Sequence, residues 1–298
     1  MVQGARLPTE YPDTVPAPMP DTPLTLGFSP CPNDTFIFDA LVHGRIDTGG
    51  LGFTERLEDV ETLNRLAGDA TLDVTKISYG AIPHLLDDYV LLRSGGALGR
   101  GCGPLIVARR ELTPHELRNA RIAIPGRNTT ANLLLRLYAP GAAPGIERVY
   151  HEIMPAVASG EVDAGLIIHE SRFTYPDHGL VRVVDLGEWW EASTGLPIPL
   201  GGILARRALG ANTIRALEDG IRRSVEYAYA HPAASRPYIR AHAREMDESV
   251  QRQHIDLYVN RYSVDLGDDG AAAVEALFTR ARAAGIIDAD VPSPFALR

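Results

Sequence analysis

A histidine at the end of a buried strand is the residue around which the chemistry of this chain can be arranged. Gly160-Glu-Val-Asp-Ala-Gly165 leads into Leu166-Ile167-Ile168, a short apolar run of the kind that forms a fully buried strand, and His169-Glu170-Ser171-Arg172 follows. In open α/β sheets, ligands bind beyond the carboxyl ends of the strands. An imidazole placed there, with an ordinary pKa near neutrality, can take and return a proton at working pH. The same residue can also do no more than cap a strand, so its role depends on what meets it.

Three other stretches are candidates to meet it. Thr22 to Phe28 alternates like a strand and is broken by Ser29-Pro30-Cys31-Pro32-Asn33-Asp34, after which Thr35 to Val42 reads as a helix capped by Asn33 or Asp34. Asp73 to Ser78 reads as a strand that delivers Lys76, Ile77 and Ser78, a cation beside a hydroxyl, to a short helix at about Ala81 to Leu86. Arg121 to Ile124 is a strand ending in Pro125-Gly126, then Thr129 and Thr130 open a leucine-rich helix from about Ala131 to Tyr138. Each strand–loop–helix junction aims free backbone N–H groups at the sheet edge, where an anion is welcome. The combined expectation is a carboxylate held by Lys76, Ser78 and the Thr129–Thr130 turn, with His169 over the reacting carbons.

Plainer roles compete at each position. Ser29, Asn33 and Asp34 can shape and cap their turn or touch a ligand. Cys31 is expected to be a small buried hydrophobe rather than a nucleophile. Lys76, between Val74 and Ile77, is expected to lie inside. Arg172 can clamp an anion or pair with Glu170, and Trp189 and Trp190 are expected to serve as hinge packing. His43, His84, His151 and His178 lack ligand spacing and there is no His-Glu-x-x-His, so no metal is expected.

Composition sets the outer limits. The chain has 298 residues, 45% of them hydrophobic and 22% charged, with a formal net charge of -9. That balance argues against nucleic acid, which needs a basic face, but leaves room for a small carboxylate substrate in a local positive pocket. Two cysteines are too few for a disulfide framework, and a reducing cytoplasm fits best. No apolar run approaches the ~20 residues that cross a bilayer, so no membrane partner is expected. A homodimer is left open. Residues 1–21, with five prolines, read as a disordered extension rather than a secretion signal.

The remaining pattern suggests an α/β chain with two lobes and a helical C-terminal part. Leu57 to Ala67 reads as an acidic helix. Gly95 to Pro104 is glycine-rich without dinucleotide spacing and is expected to be a flexible crossover. Leu105 to Ala108, Ile146 to His151 and Leu180 to Leu186 read as strands, and Gly201 to Arg206 as a strand returning to the first lobe. Ile214, Leu217, Ile221, Val225 and Ala228 recur at helical spacing, and further helices follow. The outer lobe is expected at 22–105 and 203–298 and the middle lobe at 106–202, with the ligand in the cleft.

Four blocks together, Ser29-Pro-Cys-Pro-Asn-Asp-Thr-Phe36, Leu57-Glu-Asp-Val-Glu-Thr-Leu-Asn64, Arg93-Ser-Gly-Gly-Ala-Leu-Gly-Arg100 and Gly165-Leu-Ile-Ile-His-Glu-Ser-Arg-Phe-Thr-Tyr175, closely resemble the 1,4-dihydroxy-6-naphthoate synthase family. The resemblance runs in order from about Leu24 to near the C-terminus. It implies a periplasmic-binding-protein-like (type II) fold used as a cytoplasmic lyase of menaquinone biosynthesis by the futalosine route. The implied substrate is cyclic dehypoxanthine futalosine, cleaved to 1,4-dihydroxy-6-naphthoate with release of dihydroxyacetone and no cofactor. The family's histidine base falls on His169, and its ligand contacts fall on Lys76, Ile77, Ser78, Thr130 and Ala131. Where the family often carries an aromatic or a histidine near the Thr-Thr turn, this chain has Asn128, so a second histidine is not implied there. Two rivals share the fold: a solute-binding protein, and the sister lyase acting on chorismate, against which the His-Glu-Ser-Arg-Phe-Thr-Tyr block argues.

Overall fold

The structure is a computed structural model and describes residues 22–244 and 247–295. The expectation of a disordered extension at 1–21 lies outside the described residues.

Buried strands come first. β1 (Leu24–Phe28) is followed by α1 (Pro32–Val42), β2 (Phe53–Leu57), α2 (Val60–Gly68) and β3 (Val74–Ser78). All five residues of β3 are buried, as expected for a central strand covered on both faces. β1 pairs with β2 and β3 in parallel. β2 went unread in the sequence, because Phe-Thr-Glu-Arg-Leu exposes its three middle residues and adjoins the helix pattern of α2. Asp59 caps α2, accepting from the N–H groups of Glu61 and Thr62.

Two short strands, β4 (Tyr89–Leu91) and β5 (Ala97–Gly99), precede the middle lobe. There β6 (Leu105–Ala108), α3 (Pro114–Asn119), β7 (Ile122–Ile124), α4 (Thr130–Tyr138), β8 (Ile146–Glu147), α5 (Ile153–Ser159), β9 (Ala164–Ile167), α6 (Ser171–Thr174), β10 (Val181–Asp185) and α7 (Leu186–Thr194) follow. Their strands form a sheet ordered β10-β6-β9-β7-β8. The return strand β11 (Ile198–Arg206) runs antiparallel to β3, β4 and β5 and completes the outer sheet, ordered β2-β1-β3-β11-β4 with β5 also on β11.

Strand pairing moves the expected boundaries. Leu105 already belongs to the middle sheet, while residues 198–202 pair within the outer one, so the crossovers lie at 100–104 and 195–197. The glycine-rich stretch is also less of a flexible crossover than its composition suggests, since Ala97–Gly99 is hydrogen-bonded as β5.

The C-terminal part is helical: α8 (Gly210–Ala230), α9 (Arg236–His242), α10 (Glu248–Tyr258), α11 (Arg261–Val264) and α12 (Gly267–Ala283). Every residue of the expected α8 stripe, from Ile214 to Ala228, is buried. Val274, Leu277 and Phe278 of α12 share one apolar cluster with Leu133 and Leu134 of α4, Trp190 of α7 and Leu204 of β11, so the tail packs across both lobes. Trp190 is fully buried and its indole N–H donates to Pro197 O at 2.9 Å, beside a crossover.

Candidate active site

Ser29, Asn33, Asp34, Lys76, Ile77, Ser78, Thr129, Thr130, Ala131 and His169, the ten residues singled out from the sequence, all line one cavity between the lobes. It has a volume of about 90 Å³ and is completed by apolar groups, among them Leu63, Ile168, Leu200 and Tyr258. A larger open groove of about 580 Å³ on the far side of α4, beside Arg127 and Arg136, contains neither His169 nor Lys76.

On the outer-lobe side, burial forces a tight polar network. Pro32 begins α1 with Cys31 as its N-cap, so Asn33 and Asp34 stand inside the first turn rather than capping it as expected. Asp34 reaches back to accept from Ser29 N and Oγ at 3.2 and 2.8 Å, and it accepts from Lys76 Nζ at 2.8 Å. Lys76 is buried, as its apolar neighbours suggested, and it also donates to Gly95 O at 3.1 Å. Two of its three N–H donors are thus held by the protein. Ser78 is gripped by Asn64, whose Oδ1 accepts from Ser78 N at 3.0 Å and whose Nδ2 donates to Ser78 Oγ at 3.3 Å. With Oγ accepting, the hydroxyl hydrogen of Ser78 remains free to point into the cavity.

On the middle-lobe side, Thr129 caps α4, its Oγ1 accepting from Asn132 N at 3.2 Å. The N–H groups of Thr130 and Ala131 then sit in the first turn, where no intrahelical partner exists and the helix dipole favours an anion. Thr130 Oγ1 donates across the cleft to Leu200 O at 2.6 Å and accepts from Gly80 N at 3.2 Å. Asn128 donates through Nδ2 to Glu61 Oε1 at 3.1 Å. These contacts join α4 and its loop to α2, β3 and β11, and they close the cleft.

His169 follows β9 with φ +57, a left-handed conformation uncommon for a residue with a side chain. Such strain costs about 1–3 kcal/mol and concentrates at functional sites. The half-buried imidazole has Tyr150 edge-on at 5.3 Å and His254 nearly parallel at 6.0 Å. Burial pushes its pKa below the usual value, and Glu170 and Asp34 partly oppose that shift. The ring is therefore held neutral and able to accept a proton near neutral pH.

Three details depart from expectation. Arg172 pairs with neither a ligand site nor Glu170; it donates to Gly103 O and to Asp185 Oδ2, both at 2.6 Å, and so anchors α6. His254 and Asn64 were missed. Both stand on helices where their roles depend on distant partners, although Asn64 lies inside one of the four family-like blocks. Cys31 is buried as expected, yet a donor atom each from Cys31, His169 and Glu170 lie within 4.8 Å of one another. Burial above all, reinforced by Glu170, pushes the Cys31 thiol well up. A metal ion there would first have to displace that proton.

Comparison with known proteins identifies the family and the fold. Residues 24–283 match the family model described as menaquinone biosynthesis. The chain is 58% identical over 271 residues to a 1,4-dihydroxy-6-naphthoate synthase of Thermus thermophilus, covering 91% of this chain and 97% of that one. It is 50% identical over 278 residues to a protein of the same name from Streptomyces coelicolor, covering 92% and 98%. Among solved structures, a protein of Archaeoglobus fulgidus superposes with a TM-score of 0.84 at 38% identity, covering 89% of this chain and 98% of that one. An alkanesulfonate-binding protein of Xanthomonas axonopodis pv. citri, at 14% identity and a TM-score of 0.69 over 93% and 96% of the two chains, shares the periplasmic-binding-protein-like fold alone. Family match, identity and fold agree: the chain belongs to the 1,4-dihydroxy-6-naphthoate synthase family, enzymes of menaquinone biosynthesis.

Proposed function

We propose that this enzyme is a carbon–carbon lyase that converts cyclic dehypoxanthine futalosine to 1,4-dihydroxy-6-naphthoate with release of dihydroxyacetone. The observation that carries the reading is that one cavity brings together a half-buried neutral imidazole and the anion-ready N-terminus of α4, both from the middle lobe, with Lys76 and Ser78 of the outer lobe.

The substrate carboxylate is received by the N–H groups of Thr130 and Ala131 and by the Ser78 hydroxyl, with the Lys76 ammonium beneath as buried positive charge. Asp34, itself held by Ser29, and the Gly95 carbonyl hold Lys76 in place. His169 removes a proton next to the ring system, carbon–carbon cleavage follows, and formation of the aromatic naphthoate drives the sequence. This chemistry asks for a placed base, an anchored acid group and exclusion of water, all of which these residues supply. The cavity's volume of about 90 Å³ is small beside small-molecule pockets, which run from about 300 Å³ upward. Substrate admission therefore requires the lobes to part at Thr130 and Gly80 and to close again over the ligand. We further propose that the enzyme works in the cytoplasm, where its two cysteines, both free, would stay reduced.

Incubating the purified protein with the cyclic futalosine derivative and analysing the mixture by mass spectrometry tests this reading. Appearance of the naphthoate and dihydroxyacetone supports it, and binding without conversion favours a solute-binding role for the same fold.

A further inference from the structure

Glu170 and His254 lie beside His169 without lining the cavity, and the reaction described above gives neither of them a part. His254 comes from α10 and Glu170 from the loop after β9, so closure of the two lobes brings them together. The His254 ring is fully buried, tilted only 14° from that of His169, and its Nε2 lies 2.9 Å from Asn33 Oδ1.

The orientation of Asn33 fixes the tautomer. Its Nδ2 donates to Asp34 Oδ1 at 2.8 Å, an oxygen that Lys76 also holds, so the Asn33 oxygen is the end that faces His254. Being an acceptor, that oxygen assigns the ring hydrogen to Nε2. Nδ1 is left with a bare lone pair. It faces Glu170 Oε2 at 4.0 Å, and neither atom has a hydrogen-bond partner among the described residues. The other oxygen of Glu170 accepts, among the described residues, only from the neutral Tyr150 hydroxyl, at 3.2 Å. The negative charge of Glu170 is thus unspent, and it lies within 4.8 Å of a His169 ring nitrogen.

We propose that Glu170 is the counter-charge for His169 as that ring becomes an imidazolium, and that His254 is a positioning residue that keeps this charge available. Tied to Asn33 through its Nε2–H, His254 has no hydrogen to give Glu170. Both residues act through His169, and the inference rests on reading His169 as the base. Around that ring, Glu170, Asp34 and Asp59 favour the imidazolium while Lys76 and burial oppose it; Cys31, Tyr150 and His254 face it uncharged. Without the charge on Glu170, the opposing influences dominate and His169 becomes a weaker base.

The test is the pH profile of kcat/KM for the wild type and for Glu170→Gln, with thermal unfolding of both. The variant should lose up to about tenfold in kcat, and its acidic limb should move to lower pH by about one unit. Its Tm should stay level or rise, because the new amide can donate to His254 Nδ1. A lowered Tm with an unmoved limb would reduce Glu170 to a structural role and overturn the inference. His254→Asn can turn an amide N–H toward Glu170 where Nδ1 of the histidine has no hydrogen, so its limb should move to lower pH, in the same direction as in Glu170→Gln; an unmoved limb would remove His254 from the account. An active His169→Ala enzyme would instead overturn the base assignment beneath, and so separates the two failures.

Discussion

Lys76 Nζ lies 2.8 Å from Asp34 Oδ1, and the two side chains are only 6% and 4% exposed. An ion pair so far from water stabilises little on balance, because desolvating both charges offsets their attraction. Its value is positional: it fixes a positive charge under the cleft and orients Ser29 and Asn33 around one carboxylate. Breaking it from one side is another matter. Lys76→Met should destabilise the protein by about 3–5 kcal/mol in urea unfolding, since Asp34 is left buried and uncompensated. Adding Asp34→Asn should recover part of that loss. A single variant within about 1 kcal/mol of wild type would show that the charge on Asp34 is relieved some other way.

Closure can be tested at a residue that carries no chemistry. A Cβ on Gly80 would stand 2.8 Å from Thr129 O and 2.9 Å from its carbonyl carbon, and these backbone atoms cannot yield as a flexible side chain does. Gly80→Ala should therefore hold α4 away from β3 while leaving each lobe intact. The expected outcome is a KM raised about tenfold or more with a Tm within a few degrees of wild type, because misplacement by an ångström is costly in a closed site. Wild-type KM in this variant would contradict the closed arrangement.

Local signals announced the junctions, and distant partners decided the rest. Short apolar runs ending in Pro, Gly or hydroxyl residues placed β1, β3, β7 and the start of α4, and the ten residues drawn from those junctions share a cavity. Asp34 shows the limit. As an acidic residue after a proline it reads as a helix cap, but Lys76, distant in sequence, draws it inward. His254 shows the same limit: on an amphipathic helix nothing local distinguishes a core histidine from one facing Asn33 and Glu170. The boundary near residue 202 was misplaced because β11 begins at Ile198, and Pro199 within it obscures the strand pattern.

Two neutral histidines, His169 half-buried and His254 fully buried, should make the protein acid-sensitive. Burial depresses the pKa of His169, and still more that of His254, below the ordinary value. An unfolded chain then binds more protons than the folded one once the pH drops below about 6.5, so stability is full above that value and declines as the pH falls toward the folded-state values. Glu61 and Asp39, whose carboxyls are raised by burial, act with the opposite sign, since their stabilising contribution is lost as pH rises through their folded values. The difference between wild type and His254→Phe isolates the histidine contribution. Plotted as Tm from pH 8 to pH 5, wild type should lose more stability than the variant; parallel curves would show that His254 titrates alike in the folded and unfolded chains.

The central claim, that the imidazole at position 169 removes the proton, is met most directly by His169→Ala assayed with the cyclic futalosine derivative, alongside calorimetric titration with the naphthoate. Naphthoate formation should fall by at least about a hundredfold, the scale of a lost general base, with ligand affinity changed by no more than a few-fold. Turnover equal to wild type would contradict the account.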